Sequence, residues 1–220
     1  MTKILSALDG IPQGLKGYYV RILQRIAQDR QETAARILNI LLSTQRSLTD
    51  GELAVAFLYA SRPSNYTKHS DFEREILIYI SGYAKRVCSS LVKVTGEHIE
   101  IVHQSARAFL LNLSSNPRYT FLSAFYHYPV TGHNLMSRIC LEYLLLEDFR
   151  QVDRSFGLRN RHPFLAYAGK YWPYHIRESK EHLMECRLLL RRFLKKESPN
   201  FLFWIRSLSF LTVESFFATL

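Results

Sequence analysis

The sequence is short of the residues that break helices. Nine glycines and seven prolines in 220 residues exclude a collagenous or loop-dominated chain and leave room for long helices. Cysteine is scarcer still. Cys88, Cys140 and Cys186 are odd in number and far apart, so they make neither a disulfide framework nor a Cys-x-x-Cys metal half-site. Reduced, buried thiols are the simplest account of them. The motifs that announce an enzyme are missing too. Gly10-Ile11-Pro12-Gln13-Gly14-Leu15-Lys16 has glycines and a lysine, but it fails the Gly-x-x-x-x-Gly-Lys-Ser/Thr spacing and no strand precedes it. It reads as a turn before a helix. There is no Gly-x-Ser-x-Gly elbow and no His-Glu-x-x-His. His127 and His133, with five residues between them, lack the ligand spacing of a helical metal site. No catalytic residue, metal or cofactor is expected of this chain. The opening MTKILSALDGIPQG has too short an apolar run for a signal peptide, and a cytoplasmic location is expected.

What is present is ordinary for a globular protein: 47% hydrophobic and 22% charged residues, enough for one or two domains. Lysine and arginine total 29 against 19 acidic residues, a net charge of +10. Such a balance invites a nucleic-acid or acidic-membrane partner. Yet residues 1–120 carry 15 basic and 10 acidic groups and residues 121–220 carry 14 and 9, so each part stands at +5. The even spread weakens that reading.

Helical periodicity dominates. Tyr19, Ile22, Leu23 and Ile26 stripe a helix over about 16–28. Ala34, Ile37, Leu38 and Leu41 stripe another over about 31–44. Thr49 and Glu52 have the spacing of a capping box, with Leu48 and Leu53 at the staple positions, and start a helix that runs to about Tyr59. The segment 61–65 breaks it. A further helix is expected over about 70–84, with Phe72, Glu75/Ile76 and Tyr79/Ile80 inward. Leu91–Val94 and Ile99–Val102 are short β-branched runs around Gly96, a β-hairpin pattern. Helical spacing returns with Ala106, Phe109, Leu110 and Leu113. Beyond Pro117, helices are expected over about 132–147, from Pro163 to Trp172 and over about 179–196, with a loop at 150–161.

This order predicts a mainly α chain: an N-terminal linker helix (1–29), a winged-helix domain of three helices, hairpin wing and helix (30–116), a helical extension (117–197) and an apolar C-terminal helix (198–220). The last twenty residues are long enough to span a bilayer, but Arg206 and Glu214 lie inside them. Each charge in mid-bilayer costs about 2.5–3.5 kcal/mol. A buried helix is expected, and interfacial membrane contact by 201–220 is the alternative.

A winged helix suggests DNA, but its recognition helix, placed at 71–86, sets Asp71, Glu73 and Glu75 against Arg74, Lys85 and Arg86. Without net positive charge it is a poor reader of a phosphate backbone. Arg187, Arg191, Arg192, Lys195 and Lys196 make a better phosphate or partner patch, or simply a solvated helix face. With Lys93 and His98 of the wing they define the alternative function, nucleic-acid binding.

The most informative stretch runs Ile99-Glu100-Ile101-Val102-His103-Gln104-Ser105-Ala106, where a histidine stands between the second hairpin strand and a helix. Together with Arg46-Ser47-Leu48-Thr49-x-x-Glu52-Leu53 and Val102-His103-Gln104-Ser105-Ala106-x-x-Phe109-Leu110, it resembles the winged-helix region that follows the NACHT ATPase module in fungal STAND (NOD-like receptor) proteins, the GPI inositol-deacylase-type winged helix. The resemblance extends upstream through Gly14, Leu15, Tyr18, Ile22 and Leu23. Downstream it takes in His133, Leu135, Cys140, Leu141, Tyr143 and Leu144, and the run from Pro163 to His175, so that it covers about residues 10–178. It implies a non-enzymatic regulatory module that docks on a NACHT ATPase and senses its nucleotide, with a repeat array such as ankyrin as a further partner. In that superfamily the histidine after the second wing strand touches the β-phosphate of ADP, a role the resemblance gives to His103. Gln104 stands where the superfamily motif has an acidic residue. The chain carries no phosphate loop of its own, so ADP or ATP enters only through the NACHT partner, in a longer protein or across a complex.

Overall fold

The computed structural model describes residues 13–61, 66–76, 79–150, 161–179, 183–195 and 197–206. Its helices, in chain order, are α1 (Gln13–Gln24), α2 (Gln28–Ser43), α3 (Asp50–Ser61), α4 (Ile80–Cys88), α5 (Gln104–Leu111), α6 (Pro129–Leu144), α7 (Leu165–Ser179), α8 (Leu183–Phe193) and α9 (199–206). The strands are β1 (Leu48–Thr49), β2 (Val92–Thr95) and β3 (His98–Ile101). The order α2–β1–α3–α4–β2–β3–α5 is that of a winged helix, and the chain is mainly α, as expected. It packs into two compact units, Met1–Leu53 with Ile78–Gly132, and Ala54–Leu77 with His133–Leu220. This partition interleaves segments and differs from the linear one at 29/30 and 116/117.

In the first unit the three strands form an antiparallel sheet in the order β1-β3-β2. Sequence pattern did not mark β1, a strand of two residues whose Leu48 and Thr49 pair with Ile99 and His98. Gly96 takes φ +58°, the glycine-first arrangement of a two-residue hairpin turn, and sets the register Val92↔Ile101, Lys93↔Glu100, Val94↔Ile99 and Thr95↔His98. Alternation then buries Val92, Ile99 and Ile101 on one face. The capping box forms as its spacing predicts. Glu52 N–H donates to Thr49 Oγ1 at 3.3 Å, and the Glu52 carboxylate accepts from Thr49 N–H at 2.9 Å.

The helix expected over 70–84 is not continuous. His69–Asp71 and Glu73–Glu75 are single 3-10 turns, and α4 begins only at Ile80. Asp71 fixes where the first turn starts, and the chain becomes extended at Ile76 (φ −64°, ψ 123°). The Asp71 carboxylate accepts from the backbone N–H groups of Thr67 and Lys68 and from the Thr67 hydroxyl, which caps the start of that turn. Phe72 is buried as predicted, but Tyr79 adopts left-handed φ (+63°) and is 78% exposed. The N-terminus of α4 is capped from afar, by Asp50 Oδ1 accepting from Ser81 N–H at 2.8 Å. There is therefore no single recognition helix at 71–86.

In the second unit, Tyr59, Phe72, Tyr143, Phe149, Phe164 and Tyr167 form the buried aromatic core. The helix expected to end near Trp172 continues to Ser179 through Pro173. Proline at 173 has no N–H for the carbonyl of Gly169, four residues back. That oxygen accepts instead from Trp204 Nε1, 2.8 Å away on α9. Pro199 opens α9 at a position where proline's missing N–H costs nothing. Asn200, 3% exposed, donates to the carbonyl of Leu144, the last residue of α6, and to that of Leu146 just beyond it, which also accepts from Phe149 N–H. Helix α8 occupies the middle of the segment expected to be helical over 179–196. Of the expected loop at 150–161, residues 151–160 lie outside the described residues, as do 207–220 of the apolar C-terminal segment. Among the described residues no helix is long and apolar enough to cross a membrane.

Gly132, in the first unit, is required by close approach. A Cβ there would overlap Ser43 Oγ and come within 2.6 Å of His127 Cε1. Neither neighbour is free to yield: Ser43 Oγ donates to Asn39 O at 2.7 Å, and His127 Nδ1 lies 2.7 Å from Asn39 Oδ1. Gly132→Ala is expected to destabilise the protein by about 1–3 kcal/mol in urea titration. Gly82→Ala, in open space on α4, should be neutral or stabilising by up to about 1 kcal/mol.

Burial holds several second-unit histidines neutral. It pulls His162 down to about 4 and His175 to about 3, with His69 adding repulsion at His162 and His133 adding it at His175, and it lowers His69 as well. Their folded values lie below the unfolded value of about 6.5, so the unfolded chain binds more protons in acid. Their stabilising contribution is whole above about pH 7 and is lost as pH falls from about 6.5 toward 4 and 3. Urea titrations between pH 7.5 and 4.5 should show little change above about pH 6.5 and then a fall of up to about 1.4 kcal/mol per pH unit from the well-buried His175, with smaller additions from His162 and His69. A flat profile would contradict their neutral burial.

Candidate functional site

Strand β3 ends at Ile101, Val102 N–H bonds to Leu91 O at 2.9 Å, and the next residue, His103, is the N-cap of α5. Its extended backbone (φ −156°, ψ 154°) aims the side chain back at the helix start, and Nδ1 accepts from Ser105 N–H at 3.1 Å. Histidine thus does the work usually given to Ser, Thr, Asp or Asn. A second contact, 2.7 Å, joins Nδ1 to Ser105 Oγ, which in turn lies 2.7 Å from Tyr19 Oη on α1. His103 is exposed, and Nε2 has no partner among the described residues. Because Nδ1 accepts, the ring proton of the neutral form sits on Nε2. The imidazole is therefore an outward donor.

Beside it lies a cavity of about 250 Å³ whose walls include Gln45, Arg46, Glu100, His103, Gln104 and Arg107. Arg46 holds the Glu52 carboxylate with both Nη atoms, and Glu52 is 3% exposed. Glu100 pairs with Lys93 at 3.0 Å. Arg107 has no carboxylate partner among the described residues: its guanidinium donates to Leu41 O and Leu42 O at the end of α2, and burial lowers its pKa. Two of the three cations near the cavity are thus neutralised. Arg107 and the positive end of α5 give the site a net positive field, which favours an anionic oxygen near His103.

The structure brings together His103 and the Arg46/Thr49/Glu52 motif, as elements of one site. Sequence reasoning missed Tyr19, taken only as part of an apolar stripe, and the roles of Ser105 and Arg107. The His-x-Ser spacing was a legible cap signal for Ser105; nothing in the sequence ties Tyr19 to a residue 86 positions away. In the second unit Arg187, Arg191, Arg192 and Lys195 are exposed on or just after α8, with Leu188 70% exposed among them. Lys196 lies outside the described residues. Among the described residues no group of three or more His, Cys, Asp or Glu could hold a metal ion.

The chain is similar in sequence to two fungal proteins. No protein-family model matches the chain, and no solved structure does. It is 25% identical over 209 residues to the Azaphilone pigments biosynthesis cluster protein L of Monascus ruber, covering 90% of this chain and 42% of that protein. It is also 25% identical over 233 residues to the Vegetative incompatibility protein HET-E-1 of Podospora anserina, covering 94% of this chain and 16% of that one. The chain spans less than half the length of either relative.

Glu52 serves two partners at the cavity wall, the α3 cap and Arg46. Glu52→Ala should cost about 2 kcal/mol in urea titration, the sum of a lost cap and a largely buried ion pair. Glu52→Gln, which can still accept from Thr49 N–H, should recover about half of that loss. Equal losses for the two variants would show that the cap contributes nothing.

Proposed function

We propose that this chain is a non-enzymatic regulatory module of a NACHT-type signalling receptor, docking on an ATPase and responding to its bound nucleotide. The observation that carries the reading is His103: exposed, capped through Nδ1, with its Nε2–H donor unengaged beside a net positive cavity. Such a donor suits a phosphate oxygen presented by another module. The module would act in the cytoplasm and take ADP or ATP only through its ATPase partner, with a repeat array as a further partner. Similarity over nearly its whole length to 16% of a vegetative incompatibility protein supports the idea of one module among several. The winged-helix order and the resemblance of the His103 motif supply the rest.

A hydrogen bond from Nε2–H to a phosphate oxygen is charge-assisted and stabilises the docked state by about 1.5–3 kcal/mol. That is tenfold or more in a two-state equilibrium. The alternative, nucleic-acid binding through the wing, is weakened because Lys93 is paired with Glu100.

The test is ADP release from a matching ADP-loaded NACHT module, followed with and without this chain. The chain should slow release, and His103→Ala should restore at least a tenfold faster rate. If His103→Ala behaves as the unaltered chain does, the sensing role is wrong. Tight, steeply salt-dependent binding of duplex DNA in fluorescence anisotropy would replace this reading with the alternative.

A further inference from the structure

The imidazole of His103 is not oriented by its own segment alone. Its Nδ1 is 2.7 Å from Ser105 Oγ, closer than the 3.1 Å to Ser105 N–H, and Ser105 Oγ is 2.7 Å from Tyr19 Oη. A serine hydroxyl can point either way, so its direction is decided by its neighbours. The phenol is the more acidic hydroxyl and donates to serine; serine, its oxygen so occupied, turns its own proton to Nδ1. With Nδ1 accepting from both Ser105 groups, the single proton of the neutral ring is confined to Nε2. A charged ring would reverse the chain: Nδ1–H would donate to Ser105 Oγ, and Ser105 N–H would lose its acceptor at the start of α5.

We infer that Tyr19 and Ser105 are positioning residues that hold His103 in its Nε2–H tautomer, so that the seating of α1 decides whether the imidazole offers a donor outward. Tyr19 is suited to this. It is 4% exposed, and its ring packs at 5.5 Å on Phe109 of α5, so its hydroxyl stays in register with Ser105 only while α1 lies against α5. Displacing α1 removes the hydroxyl that orients serine and leaves Nδ1 with the longer backbone contact alone. Movement of α1 thereby reaches the site through three side chains. The tautomer assignment stands on this geometry; its consequence for nucleotide sensing rests on the function proposed above.

Long-range proton–nitrogen NMR on the full 220-residue chain reads the tautomer directly. The unaltered protein should show His103 almost wholly protonated at Nε2 near neutral pH. Tyr19→Phe keeps the ring on Phe109 and removes only the hydroxyl, and it should raise the Nδ1–H population several-fold. Ser105→Ala should do the same, whereas Ser105→Thr, which retains the hydroxyl, should restore the original spectrum. Unchanged tautomer populations in Tyr19→Phe and Ser105→Ala would overturn the inference, as would a predominant Nδ1–H form in the unaltered protein. Melting curves of each variant separate lost orientation from lost folding. The two readings fail differently: a tautomer shift with ADP release indifferent to His103→Ala defeats the receptor function and leaves the relay standing. Release that responds to His103→Ala but comes with an unmoved tautomer defeats the relay alone.

Discussion

The hydrogen bond from Ser105 N–H to His103 Nδ1 joins three things that are usually separate: the end of a strand, the start of a helix and the orientation of a reactive ring. An N-cap must have extended backbone and offer its helix an acceptor. Histidine can do this through only one nitrogen, so capping leaves the other nitrogen as the donor. The rest of the site follows. The sheet brings β3 to the junction at a fixed register, the cap fixes the ring, and Arg107 ties the end of α2 to α5 beside it.

Charge at this site is decided by pairing rather than by composition. A chain of net charge +10 has many cations, yet Arg46 is spent on Glu52 and Lys93 on Glu100. Arg107 keeps an uncompensated charge because its partners are carbonyls, which satisfy its donors without neutralising it. The anion preference of the cavity therefore comes from one guanidinium and one helix end. The exposed cations of α8 belong to the second unit.

The second unit solves a different problem, how to bury a proline-containing helix among aromatic rings. Pro173 leaves the Gly169 carbonyl without its helical donor, and the indole of Trp204 supplies one. His133, His175 and Tyr167 form a buried polar chain, with 3.0 Å between the two Nδ1 atoms and 2.9 Å from His175 Nε2 to the tyrosine oxygen. Desolvation keeps His175 neutral there. These contacts give the run from Pro163 to His175 a structural role in its own unit.

Features that depend on residues a few positions apart were legible in the chain. The Thr49–Glu52 box, the Gly96 turn, the stripes of α1, α2 and α6 and the strand-to-helix junction at His103 all rest on spacings of two to four residues, where the backbone itself sets the geometry. The helix expected over 70–84 shows the limit. Its apolar spacing was sound enough to bury Phe72 and Ile80, but the backbone became extended at Ile76 and Tyr79 turned left-handed. Only the folded chain could decide that Trp204 serves Gly169, that Asp50 caps α4, that Gly132 must lack a Cβ and that Tyr19 reaches Ser105. Each is a contact between atoms that no periodicity relates. Their partners are chosen by which surfaces pack, and packing is a property of the whole chain.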